Sequence, residues 1–208
     1  MPLAGLFGKE KERQGPSSSN EKDVRGAVIK LQHNTVTLER KLAEGGFAIV
    51  YLASDKNGRQ YALKRQFISE DERQLQACKR ECQIISSLSS HKNIVSYVDH
   101  LITQGRDGVY DYMLLTAYYR TSVLALMNER LMSSRCLSAK EVLSIFCDMC
   151  EAVARLHHSQ TPVIHRDLKV ENILIDDRNR DAPVFVLCDF GSATTKRGSI
   201  ATLVDQIQ

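Results

Sequence analysis

The chain has 208 residues, of which 43% are hydrophobic and 25% charged, and its formal net charge is +3. That length suits one large domain or two small lobes, and the composition is ordinary for a soluble globular protein. The charge is too small to argue for nucleic acid, and no apolar run approaches the roughly 20 residues that a membrane helix needs.

In chain order, residues 1–24 come first. They carry Lys9-Glu10-Lys11-Glu12-Arg13 and Gly15-Pro16-Ser17-Ser18-Ser19 without periodicity, so a disordered arm is expected. Met1 to Leu6 is too short for a signal-peptide core, and Pro2 stands where myristoylation needs glycine. The expected location is therefore the cytosol. From Val36 the pattern turns to short strands: Val36 to Glu39, Phe47 to Ala53, a tight turn at Asn57-Gly58, and a return strand from Tyr61 to Lys64. Ser69 to Leu88 reads as a helix, with Ser69 and Glu72 as a capping box and Leu75, Cys78, Cys82, Ile85 and Leu88 as its apolar stripe. Glu81 sits beside that stripe. Ile94 to Val98 and Tyr112 to Leu115 read as strands around a Gly105/Gly108 loop.

Ser138 to His157 is the clearest helix. Ser138 and Glu141 form a second capping box, and Val142, Ile145, Phe146, Met149, Val153 and Leu156 form the expected core face. Ile173 to Ile175 and Val184 to Cys188 are expected strands around a polar loop. The six cysteines sit mostly in apolar-periodic segments, as buried free thiols do. Cys147 and Cys150, with His157 and His158 nearby, have metal-ligand character, but a structural zinc site favours a loop or knuckle over a helix. The fold class expected is α+β, a mainly β first lobe followed by a mainly helical second one.

Several of these segments carry chemistry. The turn Leu42-Ala43-Glu44-Gly45-Gly46 precedes Val50 and joins two strands, so it is neither a Walker A loop nor a Rossmann turn. Glycines there let backbone N–H groups approach phosphates, although a plain tight turn has the same composition. Lys64, inward on an apolar strand, needs an anion. ATP phosphates and Glu81 are candidate partners, and a surface lysine packed along the sheet is the bland alternative. The stretch His165-Arg166-Asp167-Leu168-Lys169-Val170-Glu171-Asn172 is more specific. Asp167 suits a base for an attacking hydroxyl, Lys169 suits a charge on a moving phosphoryl group, and Asn172 offers a neutral oxygen to a metal. Asp189, ahead of Phe190-Gly191 and straight after an apolar run, suits a second metal ligand. Since ATP arrives with Mg2+, Asn172 and Asp189 form the expected ion site.

From Val36 onward the chain resembles a eukaryotic protein kinase. More narrowly it resembles the Numb-associated kinase family, which includes the adaptor-associated and cyclin-G-associated kinases. The resemblance is carried by Leu42 to Ala48, Cys78-Lys79-Arg80-Glu81, His91-Lys92-Asn93-Ile94-Val95, Cys150 to His157, and Leu187-Cys188-Asp189-Phe190-Gly191-Ser192-Ala193-Thr194. It implies a bilobal kinase fold over residues 25–208, with a first lobe at about 36–116 and part of a second at about 120–208. It further implies a Lys64–Glu81 pair on the ATP phosphates. Val50, Ala62 and Leu174 would lie around adenine, Thr116 at the back of the cleft, and a hinge would run through Ala117-Tyr118-Tyr119. A spine of Ile85, His165 and Phe190 is implied as well. Lys169 fits the serine/threonine pattern, so the implied partner is a protein with a Ser or Thr acceptor. A clathrin-adaptor subunit, at endocytic membranes in the cytoplasm, follows by analogy. Ala43 and Ala48 replace glycines common in such loops, and the hinge lacks the acidic, glycine-containing character expected of the family.

Only 17 residues follow Gly191, so the resemblance leaves an incomplete helical lobe. The expected consequence is exposed apolar surface on the 138–157 helix and around His165. The alternative function is then a catalytically impaired kinase fragment or isoform that binds nucleotide or a partner.

Overall fold

The computed structural model describes residues 24–45, 48–69 and 71–195. Residues 1–23 of the expected N-terminal arm, Gly46, Phe47, Glu70 and residues 196–208 lie outside this set, whereas Val24, the last residue of that arm, lies within it.

The first half forms one antiparallel sheet. Its strands are β1 (Val28–Lys30), β2 (Thr35–Glu44), β3 (Ile49–Ser54) and β4 (Gln60–Ile68), then α1 (Glu72–Leu88), β5 (Tyr97–Gln104) and β6 (Tyr110–Ala117). The spatial order is β1-β2-β3-β4-β6-β5. The period of two in side-chain direction sorts this sheet into two faces. Tyr51, Ala53, Tyr61, Leu63, Met113 and Leu115 pack with Leu31, Val36 and Leu38 into an outer core. Val50, Ala62, Lys64, Leu114 and Thr116 face the opposite way, towards a cleft. The β3–β4 hairpin turns at Asn57-Gly58 as expected. Gly58 has φ +77°, a left-handed value that favours glycine, and Asp55 Oδ1 accepts the Asn57 and Arg59 amides at 2.8 and 3.0 Å.

Three boundaries differ from expectation. The sheet begins at Val28 rather than Val36, because Val24, Ala27 and Ile29 pack on the outer core. The strand expected at Ile94 starts at Tyr97, and Ile94 instead makes a lone parallel bridge to Leu187. The α1 cap is Asp71, whose carboxylate accepts the Gln74 amide at 3.0 Å; Ser69 lies before the helix. A carboxylate there also meets the positive end of the helix dipole. The expected stripe of Leu75, Cys78, Cys82, Ile85 and Leu88 is buried, and so is Glu81, at 2% exposure.

The sheet curls because its far edges are tied together. Asp99, fully buried on β5, accepts the His33 and Asn34 amides and Asn34 Nδ2 on Oδ2 at 2.8, 2.9 and 3.0 Å, and the His100 amide on Oδ1 at 2.8 Å. Burial opposes the charge on Asp99, but these hydrogen bonds outweigh it and hold the carboxyl below its ordinary range.

The second half comprises β7 (Thr121–Ser122), α2 (Val123–Met132), α3 (Ala139–His157), β8 (Val163–Ile164), a 3-10 turn (Val170–Asn172), β9 (Ile173–Asp176), β10 (Val184–Leu187) and β11 (Thr194–Thr195). β10, β9 and β7 form one small sheet, and β11 pairs with β8. The Ser138/Glu141 capping box on α3 is present. The expected core face of α3 divides. Leu156 is buried, and Ile145 and Met149 pack against the core, whereas Val142 and Phe146 are exposed, together with Leu143. Ile164 and Leu168, beside His165, are exposed too. Cys78 and Cys82 are buried as expected, but Cys136, ahead of α3, is exposed, and so are Cys147 and Cys150, which α3 turns away from its packed side. Among the described residues no group of three or more His, Cys, Asp or Glu is placed to hold a metal, and no helix is long and apolar enough to cross a membrane.

The halves are stitched between Asn93 and Leu187. The Val95 amide donates to Leu187 O at 2.9 Å, the Leu187 amide to Asn93 O at 2.9 Å, and Asn93 Nδ2 to Phe185 O at 2.9 Å. The largest core runs across this seam, from Ile68 and α1 to Leu156, Val186, Leu187 and Phe190.

Candidate active site

The cleft under the sheet has a volume of about 640 Å³. One wall is the inward face of β3, β4 and β6: Val50, Ala62, Lys64 and Thr116. The other holds Leu174, Asn172, Cys188 and Asp189. Leu42, Ala43 and Gly45 close one end, and Ala117, Tyr118 and Tyr119 line the strip joining the halves. Glu44 lies beside this rim and pairs with Lys41 at 2.8 Å. The turn itself closes with the Gly45 amide donating to Ala48 O at 2.9 Å, and Gly46 falls outside the described residues. The Ala117 amide donates to Ser96 O at 2.9 Å.

Lys64 stands opposite Val50 on β3 and Leu114 on β6. Its Nζ contacts Glu81 Oε1 and Oε2 at 2.8 and 3.1 Å, and Asp189 Oδ1 at 3.3 Å. Burial disfavours the ammonium, but the charges of Glu81 and Asp189 outweigh that cost and hold its pKa above the ordinary lysine range. Lys64 is therefore a permanent cation spanning both halves. The bland surface reading does not survive, since its side chain is only 22% exposed.

The loop after β8 places the remaining groups. His165, 3% exposed, accepts the Asp167 amide on Nδ1 at 3.3 Å, which leaves its proton on Nε2 to donate to Cys188 O at 3.1 Å. Its ring stands edge-on to Phe190 with centroids 4.9 Å apart. Burial, partly offset by the Cys188 carbonyl, lowers its pKa. Asp167 Oδ2 meets Lys169 Nζ and Asn172 Nδ2, both at 3.0 Å. The Lys169 hydrogen bond holds the Asp167 carboxyl below its ordinary value. Asn172 Nδ2 also donates to Asp167 O at 2.9 Å. Both amide hydrogens are thus committed, and Oδ1 is what Asn172 has left to offer. The Cys188 amide donates to Asn172 O at 2.9 Å, fixing this loop to the Asp189 turn. Burial pushes the Cys188 thiol up to about 12, so it is un-ionised.

Asp189 has φ +58°, a left-handed conformation strained for a residue other than glycine. That twist turns its carboxylate back to Lys64. Gly191 permits the close packing: a Cβ there would lie 3.3 Å from Asp189 Oδ1 and 3.5 Å from Lys64 Nζ. The structure thus brings Lys64, Glu81 and Asp189 into direct contact, and Asp167, Lys169 and Asn172 into a second cluster tied to the first through the Cys188 amide. The sequence reading missed Tyr112, whose hydroxyl donates to Glu81 Oε2 at 3.0 Å. It also missed Arg166, whose Nε donates to Ser192 O at 2.6 Å from a left-handed backbone, φ +67°. Alternation along β6 places Tyr112 on the side of Leu114, but only the packing of α1 brings it to a carboxylate.

A curled antiparallel sheet, an ion pair from its strand β4 to α1, and a cleft floored by β9 and the turns beside it define a bilobal α+β kinase-like fold. Comparison by sequence agrees. The protein kinase domain matches residues 36–204. The chain is 49% identical over 189 residues to serine/threonine-protein kinase sel-5 of Caenorhabditis elegans, which covers 91% of this chain and 17% of that protein. Two Dictyostelium discoideum proteins, each named "Probable serine/threonine-protein kinase", are 38% and 40% identical over 81% and 85% of this chain, and 15% and 22% of their own lengths. This chain belongs to the protein kinase domain family. It spans less than a quarter of the length of these relatives.

Proposed function

We propose that the protein is an ATP-dependent serine/threonine protein kinase. The observation that carries this reading is the bridge Glu81–Lys64–Asp189, at 2.8 and 3.3 Å, in the same cleft as Asn172 and beside Asp167.

The residues present fit a magnesium nucleotide. An apolar slot between Val50, Ala62 and Leu174 suits a flat base, and Lys64 offers a fixed positive charge to phosphates. Asn172 Oδ1 and the Asp189 carboxylate are hard oxygen donors of the kind Mg2+ takes, and would hold it. When bound, the ion would supply neutralisation of phosphate charge. The chain's own residues would do the rest by positioning and electrostatics. Asp167 is oriented through Oδ2 by Lys169 and Asn172; among the described residues its Oδ1 accepts no hydrogen bond, and it would take the proton of the acceptor hydroxyl. Lys169 Nζ would balance charge on the transferred group. Gly45 and its neighbours would cover the phosphates and exclude water.

Likeness of motifs to the Numb-associated kinases supports a cytoplasmic role at endocytic membranes with a clathrin-adaptor subunit as substrate. The test uses the full-length protein with Mg-ATP and a Ser/Thr protein substrate, comparing wild type with Asp167→Ala. Removing a general base is expected to cut the rate about a thousandfold. Equal rates overturn the catalytic reading, and nucleotide binding in both without transfer favours a binding protein.

A further inference from the structure

Glu81 is 2% exposed, and a buried carboxylate is costly unless each oxygen is served by donors. Lys64 serves both, but all three protons of its ammonium are already spoken for: Glu81 Oε1 at 2.8 Å, Glu81 Oε2 at 3.1 Å and Asp189 Oδ1 at 3.3 Å. A phosphate arriving in the cleft must displace one of these contacts. Oε2, with the longer contact to Lys64, is the oxygen that a second donor reaches. Tyr112, fully buried on β6, donates to it at 3.0 Å. Behind the phenol, Cys82 Sγ donates to the tyrosine oxygen at 3.6 Å. Burial, and then the nearby Glu81 charge, raise the Tyr112 pKa well above the ordinary tyrosine value, so it is a neutral donor at every physiological pH.

We propose that Tyr112 is a positioning residue for phosphoryl transfer: its hydroxyl anchors Glu81 from the sheet, holding α1 against the cleft and leaving Lys64 free to turn from Glu81 Oε2 to the phosphates of the nucleotide. The phenol makes the ion pair tolerant of that turn, because Oε2 keeps a donor when Lys64 leaves it, while Oε1 keeps Lys64. Packing alone requires only the ring, which phenylalanine supplies; the hydroxyl is what the Glu81 contact requires. This inference rests on the kinase reading above.

The experiment is a double-mutant cycle on the full-length protein with Tyr112→Phe, Lys64→Met and the pair, measuring Mg-ADP affinity by calorimetry, kcat and KM for ATP, and Tm. Loss of a hydrogen bond to a buried charge should weaken Mg-ADP binding and raise KM for ATP about tenfold. In the Lys64→Met background the added loss of affinity should vanish. Tyr112→Met, which also lacks the hydroxyl, should behave as Tyr112→Phe does and serves if the latter fails to fold. Unchanged affinity and KM in an active protein overturn the proposal, and so does an equal loss with and without Lys64, which would mean packing alone. A wild type that neither binds nucleotide nor transfers phosphate defeats the kinase reading instead.

Discussion

Asp189 has a left-handed backbone, one face in the cleft and a lysine 3.3 Å away. Its sequence neighbours, an apolar strand before and a glycine two residues after, indicate an exposed carboxylate on a turn. They do not indicate the twist that returns the carboxylate to Lys64. Gly191 makes the twist usable, because a methyl there would press on Asp189 Oδ1 at 3.3 Å and touch Lys64 Nζ at 3.5 Å. Gly191→Ala should therefore leave Tm nearly unchanged while lowering kcat/KM about tenfold, since small displacements of positioning groups are expensive in rate. Steady-state kinetics beside a thermal melt check this. Lys64, Glu81, Asp167, Lys169 and Asn172 were legible as chemistry because each is a costly residue in a place that burial or spacing singles out. Tyr112 was not, since a tyrosine in a β-rich apolar run is ordinary.

Among the elements, the hairpins and both long helices follow from local pattern. Two of the misplaced boundaries share a cause. The first strand and the start of β5 are set by contacts with distant segments, the outer core and Leu187, that periodicity does not encode. Asp99 is the clearest case, a carboxylate inside a strand that binds the turn between β1 and β2 through three hydrogen bonds and accepts a fourth from its own strand. Asp99→Ala should strand those donors and cost about 3 kcal/mol of stability, on a scale of about 1–3 kcal/mol for each buried unsatisfied group. A shift in denaturant midpoint at constant slope measures it. The α3 face shows both things expected of it, a packed side and exposed apolar surface, and only their division was not legible. Helical spacing shows which residues share a face, but not how much of that face a partner covers, and Phe146 is 66% exposed where Leu156 is 1%.

Across the whole molecule, one core runs from α1 through Phe190 to α3, and His165 stands against it as a buried neutral imidazole. Burial lowers its pKa in the folded state, so the unfolded chain takes up the proton first. Stability should then be full above about pH 6.5 and fall as the pH drops through that value. In His165→Phe, which keeps a ring against Phe190, that acid-side loss should be smaller; chemical denaturation at a series of pH values would show it. An equal loss in the variant would assign the effect to other groups.

By itself the sequence pointed to the two-part α+β layout through its periodicity, and to the charged and metal-ligand candidates through the spacing from His165 to Asn172 and at Asp189, while the residues around the cleft came from the kinase resemblance. The glycine turn and Lys64 were weak signals alone, because each has a bland local explanation. Tertiary structure alone decided that Lys64 reaches two carboxylates from different halves, that Tyr112 supplies Glu81 with a further donor, and that Asp99 draws the sheet into a curl. Each of those depends on side chains 17 to 125 residues apart in sequence meeting within hydrogen-bond distance, and no pattern in a single stretch of chain carries that information.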